Sequence, residues 1–263
     1  MQQIEVRNMT QADEAYVAGS TVEGGIEALD DAGRTRLNRF KSLAGKGLRV
    51  KVALLDGAHA GSACVLPIEL CPWCATGRDL MALPCLYVHH QPESHGVGRA
   101  LLEAAEQEAR EQDRKGMVIV AFRDDFWPVE PSYFKEVGYR VAGHHGRRVV
   151  LWKPYAGDVE KPEPVKRRYK FERVRGKVVI DLFYNTICRP SVIEARRVRE
   201  LAAKFGGSVL LREYCADEHE VLLEHGIPRA IFINGREQNW GYAAPAKALS
   251  EEIGKEIVWA EME

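Results

Sequence analysis

Residues 88–110 read VHHQPESHGVGRALLEAAEQEAR, and the way this stretch folds decides the architecture around it. Ahead of it, Leu83 to Val88 is an apolar run of strand length. Behind it, Val97, Ala100, Leu101, Ala104 and Ala105 recur at helical spacing on one face. Gly96 and Gly98 stand between. A helix N-terminus presents unpaired amides and the positive end of the macrodipole, and residues without a Cβ let an anion reach the main chain. The stretch reads either as an anion-holding turn, best matched to a pyrophosphate, or as a sharp strand-to-helix turn that needs glycine for its backbone alone. Glu93, beside Ser94, stands where a phosphate cradle favours neutral or basic residues.

Working outward, Ile4 and Val6 alternate as a short strand, and Thr10 with Asp13 three residues on marks a helix start. Asp56-Gly57 splits Arg49–Leu55 from His59–Leu66 as a hairpin. Met117 to Phe122 is a buried strand, and Tyr139 to Trp152 a hairpin around His145-Gly146. Residues 153–176, KPYAGDVEKPEPVKRRYKFERVRG, combine three prolines with dense charge and read as a solvated, semi-extended connector. Beyond it VVIDLFY is a strand, Ser191 to Phe205 a helix, and Ser208 to Tyr214 a strand. A short helix at Asp217–His225, a strand ending at Asn234-Gly235 and a helix from Pro245 follow. The expected organisation is a first domain over 1–152, a connector over 153–176 and a second domain over 177–263, each mixing helices with sheet.

A chain of 263 residues with 46% hydrophobic and 29% charged content suits two soluble domains with real cores. A formal net charge of −1 gives no footprint for nucleic acid or an anionic membrane. No stretch approaches the ~18 apolar residues of a membrane span, and no signal-peptide core opens the chain, so a cytoplasmic protein is expected. The composition does not oppose a homodimer. Six cysteines in such a chain do not make a disulfide framework. Cys64, Cys71, Cys74 and Cys85 fall close together. The Cys71-x-x-Cys74 pair could grip Zn²⁺ with help from elsewhere, serve as a redox dithiol, or simply sit in a substrate-side loop.

The order strand, VHHQPESHGVGRALLEAAEQEA, strand resembles the acyl-CoA-binding core of the GNAT N-acetyltransferases. The family pattern of Val, then Arg or Gln, two residues, Gly, one residue, then Gly or Ala falls on Val88, Glu93, Gly96 and Gly98, with Arg99, Ala100, Leu101 and Leu102 following. IEVRNMTQADEAYV and SYFKEVGYRV are similar to the family's opening and closing elements. The resemblance implies acetyl transfer from acetyl-CoA to a primary amine of a small molecule or amino acid. It places the cofactor along Leu86, Tyr87, Val88, Glu93, Ser94, His95, Gly96, Val97, Gly98, Arg99 and Ala100. It also implies that the strand before the glycine turn parts from its neighbour. Tyr133, His89 and Cys85 are the catalytic candidates. The family's general-acid tyrosine aligns with Phe134, so Tyr133 serves if the helix is turned by one residue.

VVIDLFYNTICRPS with the later GIPRAIFINGRE is similar to the thioredoxin and glutaredoxin family. The resemblance places a thiol site at Cys188, Ser191 and Pro228, with Ser191 where a resolving cysteine would stand and a cis Ile227–Pro228 bond beside the sulfur. The two parts in this order resemble the YoaP-like acetyltransferase group. The rival reading is a thiol-based redox or metal-binding sensor whose GNAT shell no longer turns over.

Overall fold

Seven strands form the larger sheet of the computed structural model, which describes residues 3–19, 29–73, 75–89, 96–122, 131–146, 148–239 and 243–261. The chain divides into two mixed α/β units, Met1–Cys71 with Ala75–Val165, and Pro72–Cys74 with Lys166–Glu263.

In the first unit, β1 (Ile4–Asn8), β2 (Arg49–Leu55), β3 (Ala58–Pro67), β5 (Met81–Val88), β6 (Gly116–Phe122), β8 (Arg148–Pro154) and β7 (Arg140–His145) lie side by side in that order. Asp56 and Gly57 both take positive φ, 50° and 84°, which is how a two-residue turn matches the twist of β2 and β3. α1 (Glu14–Gly19) and α2 (Asp31–Ala44) follow β1, and α3 (Val97–Glu111) and α4 (Pro131–Glu136) flank β6. Val97, Leu101, Leu102, Ala105 and Ala109 of α3 pack on Ala63, Val65, Met81 and Leu83. Each fully buried Leu there is worth about 2 kcal/mol. Lys51 Nζ reaches Glu108 at 2.5 Å and ties β2 to α3. A two-strand ladder of β4 (Ala75–Thr76) and β9 (Glu163–Pro164) completes the unit.

β5 and β6 run parallel but pair only at Met81–Met117 and Ala82–Val118 among the described residues. Past Ala82, β5 keeps its ladder with β3, through Leu86–Ala63, Tyr87–Ser62 and Val88–Gly61. β6 keeps its own ladder with β8 along its whole length. The sheet therefore opens as a V between β5 and β6, as the GNAT resemblance implies.

The second unit orders β11 (Val209–Cys215), β10 (Val178–Tyr184), β12 (Ala230–Ile233) and β13 (Arg236–Gln238), with β10 and β11 parallel and the other pairs antiparallel. α5 (Arg189–Phe205) crosses between the parallel strands, and α6 (His219–His225) and α7 (Ala246–Glu261) follow. Val178, Ile180 and Leu182 pack on Ala195, Val198, Leu249 and Ile253. On the opposite face lie Phe183, Ile227 and Phe232.

That second face is covered from within the stretch expected to be a solvated connector. Tyr169 stacks on Phe232 at 3.8 Å between ring centroids and donates to Asp181 Oδ2 at 2.7 Å. Arg168 N donates to His225 O at 2.9 Å, and Phe171 lies against Gly235. Residues 163–164 join the first unit through β9. Interleaved aromatics set the course of this segment together with Arg167, which pairs with Glu237 at 2.8 Å and lies over the Phe232 ring.

Candidate functional site

α3 opens on Gly96, which holds φ 89° and ψ −18°, a left-handed conformation that side chains rarely adopt. Among the described residues no side chain caps the helix, and Ala100 N is the first amide to bond back, to Gly96 O at 2.9 Å. The amides of Val97, Gly98 and Arg99 thus occupy the first turn, where a helix has no internal acceptor for them. A Cβ on Gly98 would stand 3.4 Å from Val88 Cγ2 and 3.7 Å from Tyr133 Oη. The end of β5, the start of α3 and the Tyr133 hydroxyl therefore converge. Glu93, Ser94 and His95 lie outside the described residues, and so does His90.

Tyr133 and Phe134 divide their roles. Phe134 is 2% exposed and sits edge-on to Tyr139 in the core. Tyr133 is half-buried, and its Oη is inaccessible to solvent and has no hydrogen-bond partner among the described residues. Burial raises the phenol's pKa, while the Arg99 charge pulls it back and Glu103 adds to the rise. The helix turn presents Tyr133 rather than Phe134, because Phe134 is the better core residue. Arg99 itself is exposed and paired with Glu103 at 2.9 Å. Its side chain is thus engaged along the helix.

Side chains alternate along β5. Leu86 and Val88 pack on the α3 side with Tyr133. Cys85 turns to α2, where Arg36 Nη2 donates to its Sγ at 3.4 Å. Tyr87 lies within electrostatic reach of Tyr16 and edge-on to His89 at 6.2 Å. His89 is half-buried at the strand end, and its backbone N–H donates to Ala60 O at 2.8 Å. His89 and Tyr133 thus come from different elements, one just past the end of β5 and one on α4. Glu69, another carboxylate near these strands, accepts from Asp79 N at 3.0 Å and pairs with Arg114 at 3.6 Å.

A polar network on the α1 side carries no local signal in the sequence. Asp13, 1% exposed, accepts from both Arg7 Nη atoms at 2.6 and 2.9 Å and from Thr10 N and Oγ1. His59 Nε2 lies 2.9 Å from Asp13 Oδ1, and its ring stacks on Tyr16 at 4.3 Å. Burial pushes the Asp13 carboxyl up, but hydrogen bonds from Arg7, His59 and Thr10 outweigh it and hold the group well below the usual carboxylate range. Thr10 and Asp13 are legible as a helix start. Their meeting with a histidine 46 residues away is not.

In the second unit, Cys188 is the N-cap of α5. Asn185, fully buried, organises the turn: Cys188 N donates to its Oδ1 at 2.9 Å, and its Nδ2 donates to Pro228 O at 3.0 Å. Ser191 is also fully buried, and its Oγ accepts from Asn185 N at 3.0 Å. The serine standing for a resolving cysteine is a structural acceptor. The Ile227–Pro228 bond is trans, contrary to the expected cis bond, and Pro228 precedes β12 by two residues. The Asn185 side chain takes up the Pro228 carbonyl instead. Burial, with Asp217 nearby, raises the Cys215 thiol.

Among the described residues no three His, Cys, Asp or Glu side chains gather to hold a metal. Cys71 is buried, and Cys74 lies outside the described residues. None of the described helices is long and apolar enough to cross a membrane.

No family model and no curated protein matches the chain. Among solved structures it is similar to a GNAT-superfamily phosphinothricin acetyltransferase from Sinorhizobium meliloti in complex with AcCoA. The identity is 20%, covering 61% of this chain and 92% of that one, with a TM-score of 0.45. It is also similar to a ribosomal-protein-alanine N-acetyltransferase from Brucella melitensis, at 22% identity, 56% and 96% coverage and a TM-score of 0.42. A GNAT-family acetyltransferase from Staphylococcus aureus matches at 12% identity, 59% and 100% coverage and a TM-score of 0.44.

Proposed function

We propose that the first unit is a GNAT-type N-acetyltransferase that moves acetyl from acetyl-CoA to a primary amine of a small molecule or amino acid. The observation that carries this reading is the meeting of the V between β5 and β6 with an α3 turn and a Tyr133 hydroxyl that, among the described residues, have no side-chain cap and no hydrogen-bond partner. The residues fit the cofactor. The first-turn amides of Val97, Gly98 and Arg99 would take its pyrophosphate, Gly98 leaves the approach open, and the parted edge at Leu86, Tyr87 and Val88 offers main-chain groups to its arm. When bound, acetyl-CoA supplies an activated acyl thioester. Tyr133 holds a proton at Oη, in surroundings that favour the neutral phenol, and is the proton donor of this reading. Cys85, Tyr87 and His89 face or edge the acceptor side of β5, and His89 is the candidate for taking the amine's proton.

The second unit is read as thioredoxin-like. A parallel β10–α5–β11 crossover with antiparallel β12 and β13 supports this, and so does a cysteine at the N-cap of the crossover helix. Ser191 leaves Cys188 without the second sulfur of an internal CxxC-type cycle.

Calorimetric titration of acetyl-CoA tests the first reading. Wild type should bind, and Gly98→Glu should not, with unchanged circular dichroism. Absence of heat with wild type at millimolar cofactor refutes it.

A further inference from the structure

The strand that carries the cofactor edge also carries one half of a cysteine pair. Cys64 on β3 and Cys85 on β5 are directly opposed in the antiparallel ladder. Opposed antiparallel residues stand about 4.5 or 5.5 Å apart at Cα, according to pair type, and share one face of the sheet. Both separations lie within the roughly 4.4–6.8 Å that a disulfide spans. Both residues are thiols in this structure. Cys85 is half-buried and Cys64 is 2% exposed. Arg36 Nη2 donates to Cys85 Sγ at 3.4 Å, placing a permanent cation against the more accessible sulfur. Cys64 lies in electrostatic reach of Cys85, Arg36 and Cys71, and burial pushes its thiol up.

We propose that Cys64 and Cys85 form an oxidisable dithiol, with Cys85 attacking a hydroperoxide and Cys64 closing a cross-strand disulfide. The division of labour follows from placement. Cys85, the less buried of the two and the one whose sulfur the Arg36 guanidinium meets, reacts first, since a peroxide must reach the attacking sulfur. Cys85 thiolate attacks the hydroperoxide, an S–O bond forms, the O–O bond breaks, and alcohol or water leaves after taking a proton. The Cys64 thiol then attacks the sulfenic sulfur. The S–S bond forms, the S–O bond breaks, and water leaves with the Cys64 proton. The two sulfurs lose two electrons together and the peroxide gains them. The disulfide takes away the thiol state of the Cys85 sulfur that Arg36 meets, one residue before Leu86. This chemistry does not depend on acetyl transfer.

The test treats full-length protein with a small excess of hydrogen peroxide, blocks remaining thiols, and digests with trypsin. Cys85 then lies on the peptide 79–99, and Cys64, Cys71 and Cys74 lie together on 52–78. The expected product joins the two peptides, has lost two hydrogens, fragments at Cys64, and disappears with dithiothreitol. It should persist in a Cys71→Ser/Cys74→Ser variant and vanish in Cys64→Ala. Should Cys64→Ala not fold, the fragment spectrum of the wild-type product decides by itself. A link from Cys71 or Cys74 overturns the proposal. So does a Cys85 that goes on to sulfinate while Cys64 stays alkylatable, or a Cys85 that stays a thiol.

Discussion

Replacing Tyr133 by Phe separates a functional hydroxyl from a structural one, because the two roles predict opposite changes in stability. The ring packs with Leu86 and Val88, while Oη is buried without a partner among the described residues. An unsatisfied buried hydroxyl costs on the order of 1–3 kcal/mol. Tyr133→Phe removes that cost and keeps the ring, so the first unit should gain about 1 kcal/mol, which for about 150 residues is a rise of about 3 °C in Tm. Turnover should move the other way. A positioned general acid contributes on the order of 100-fold or more, so kcat for acetyl transfer to an accepted amine should fall by about that factor, with acetyl-CoA affinity nearly unchanged. Since burial raises the Tyr133 phenol, any alkaline loss of activity that it causes should lie above the ordinary tyrosine value near 10. Calorimetric melting and steady-state kinetics on the same preparation read both quantities. A variant that is less stable by about 1 kcal/mol or more would show that the hydroxyl is bonded in the fold. An unchanged kcat would remove Tyr133 from the chemistry.

Two further outcomes follow from buried polar groups. Asp13 has a depressed pKa, so its stabilisation is complete above the unfolded value near 3.9 and is lost as pH falls through that value towards the folded one. Asp13→Asn should therefore lose about 2 kcal/mol at pH 7 and show a shallower acid decline in urea unfolding, whereas parallel pH curves would deny Asp13 this role. Asn185→Ala leaves Cys188 N–H and Pro228 C=O without their partner and should cost the second unit about 3 kcal/mol; a loss under about 1 kcal/mol in the same assay would mean that the two groups find other partners.

The elements that the sequence announces are those whose cause is local. Asp56-Gly57 dictates its turn because both residues must take positive φ, and α3 follows from the spacing of Val97, Leu101 and Ala105. Tyr133 and Phe134 are harder, since neighbours on a helix point about 100° apart and core packing decides which faces inward. Long-range meetings leave no local trace. Arg36 reaches Cys85 across 49 residues and His59 reaches Asp13 across 46. The Cys64–Cys85 opposition needs the β3–β5 register, which cysteine spacing cannot supply. The 153–176 segment misleads by composition: its charge suggests solvent, while Tyr169 and Phe171 dock.

The docking of Tyr169 sets where the second unit can be cut free. A fragment starting at Val178 would carry the whole four-stranded sheet, yet it would bare Phe232 to water and strip Asp181 of its phenol while the carboxylate stays in the fold. Such a fragment exposes a sticky aromatic face during refolding. One starting at Lys166 brings its own cover, so for expression the useful cut lies a dozen residues upstream of the first strand.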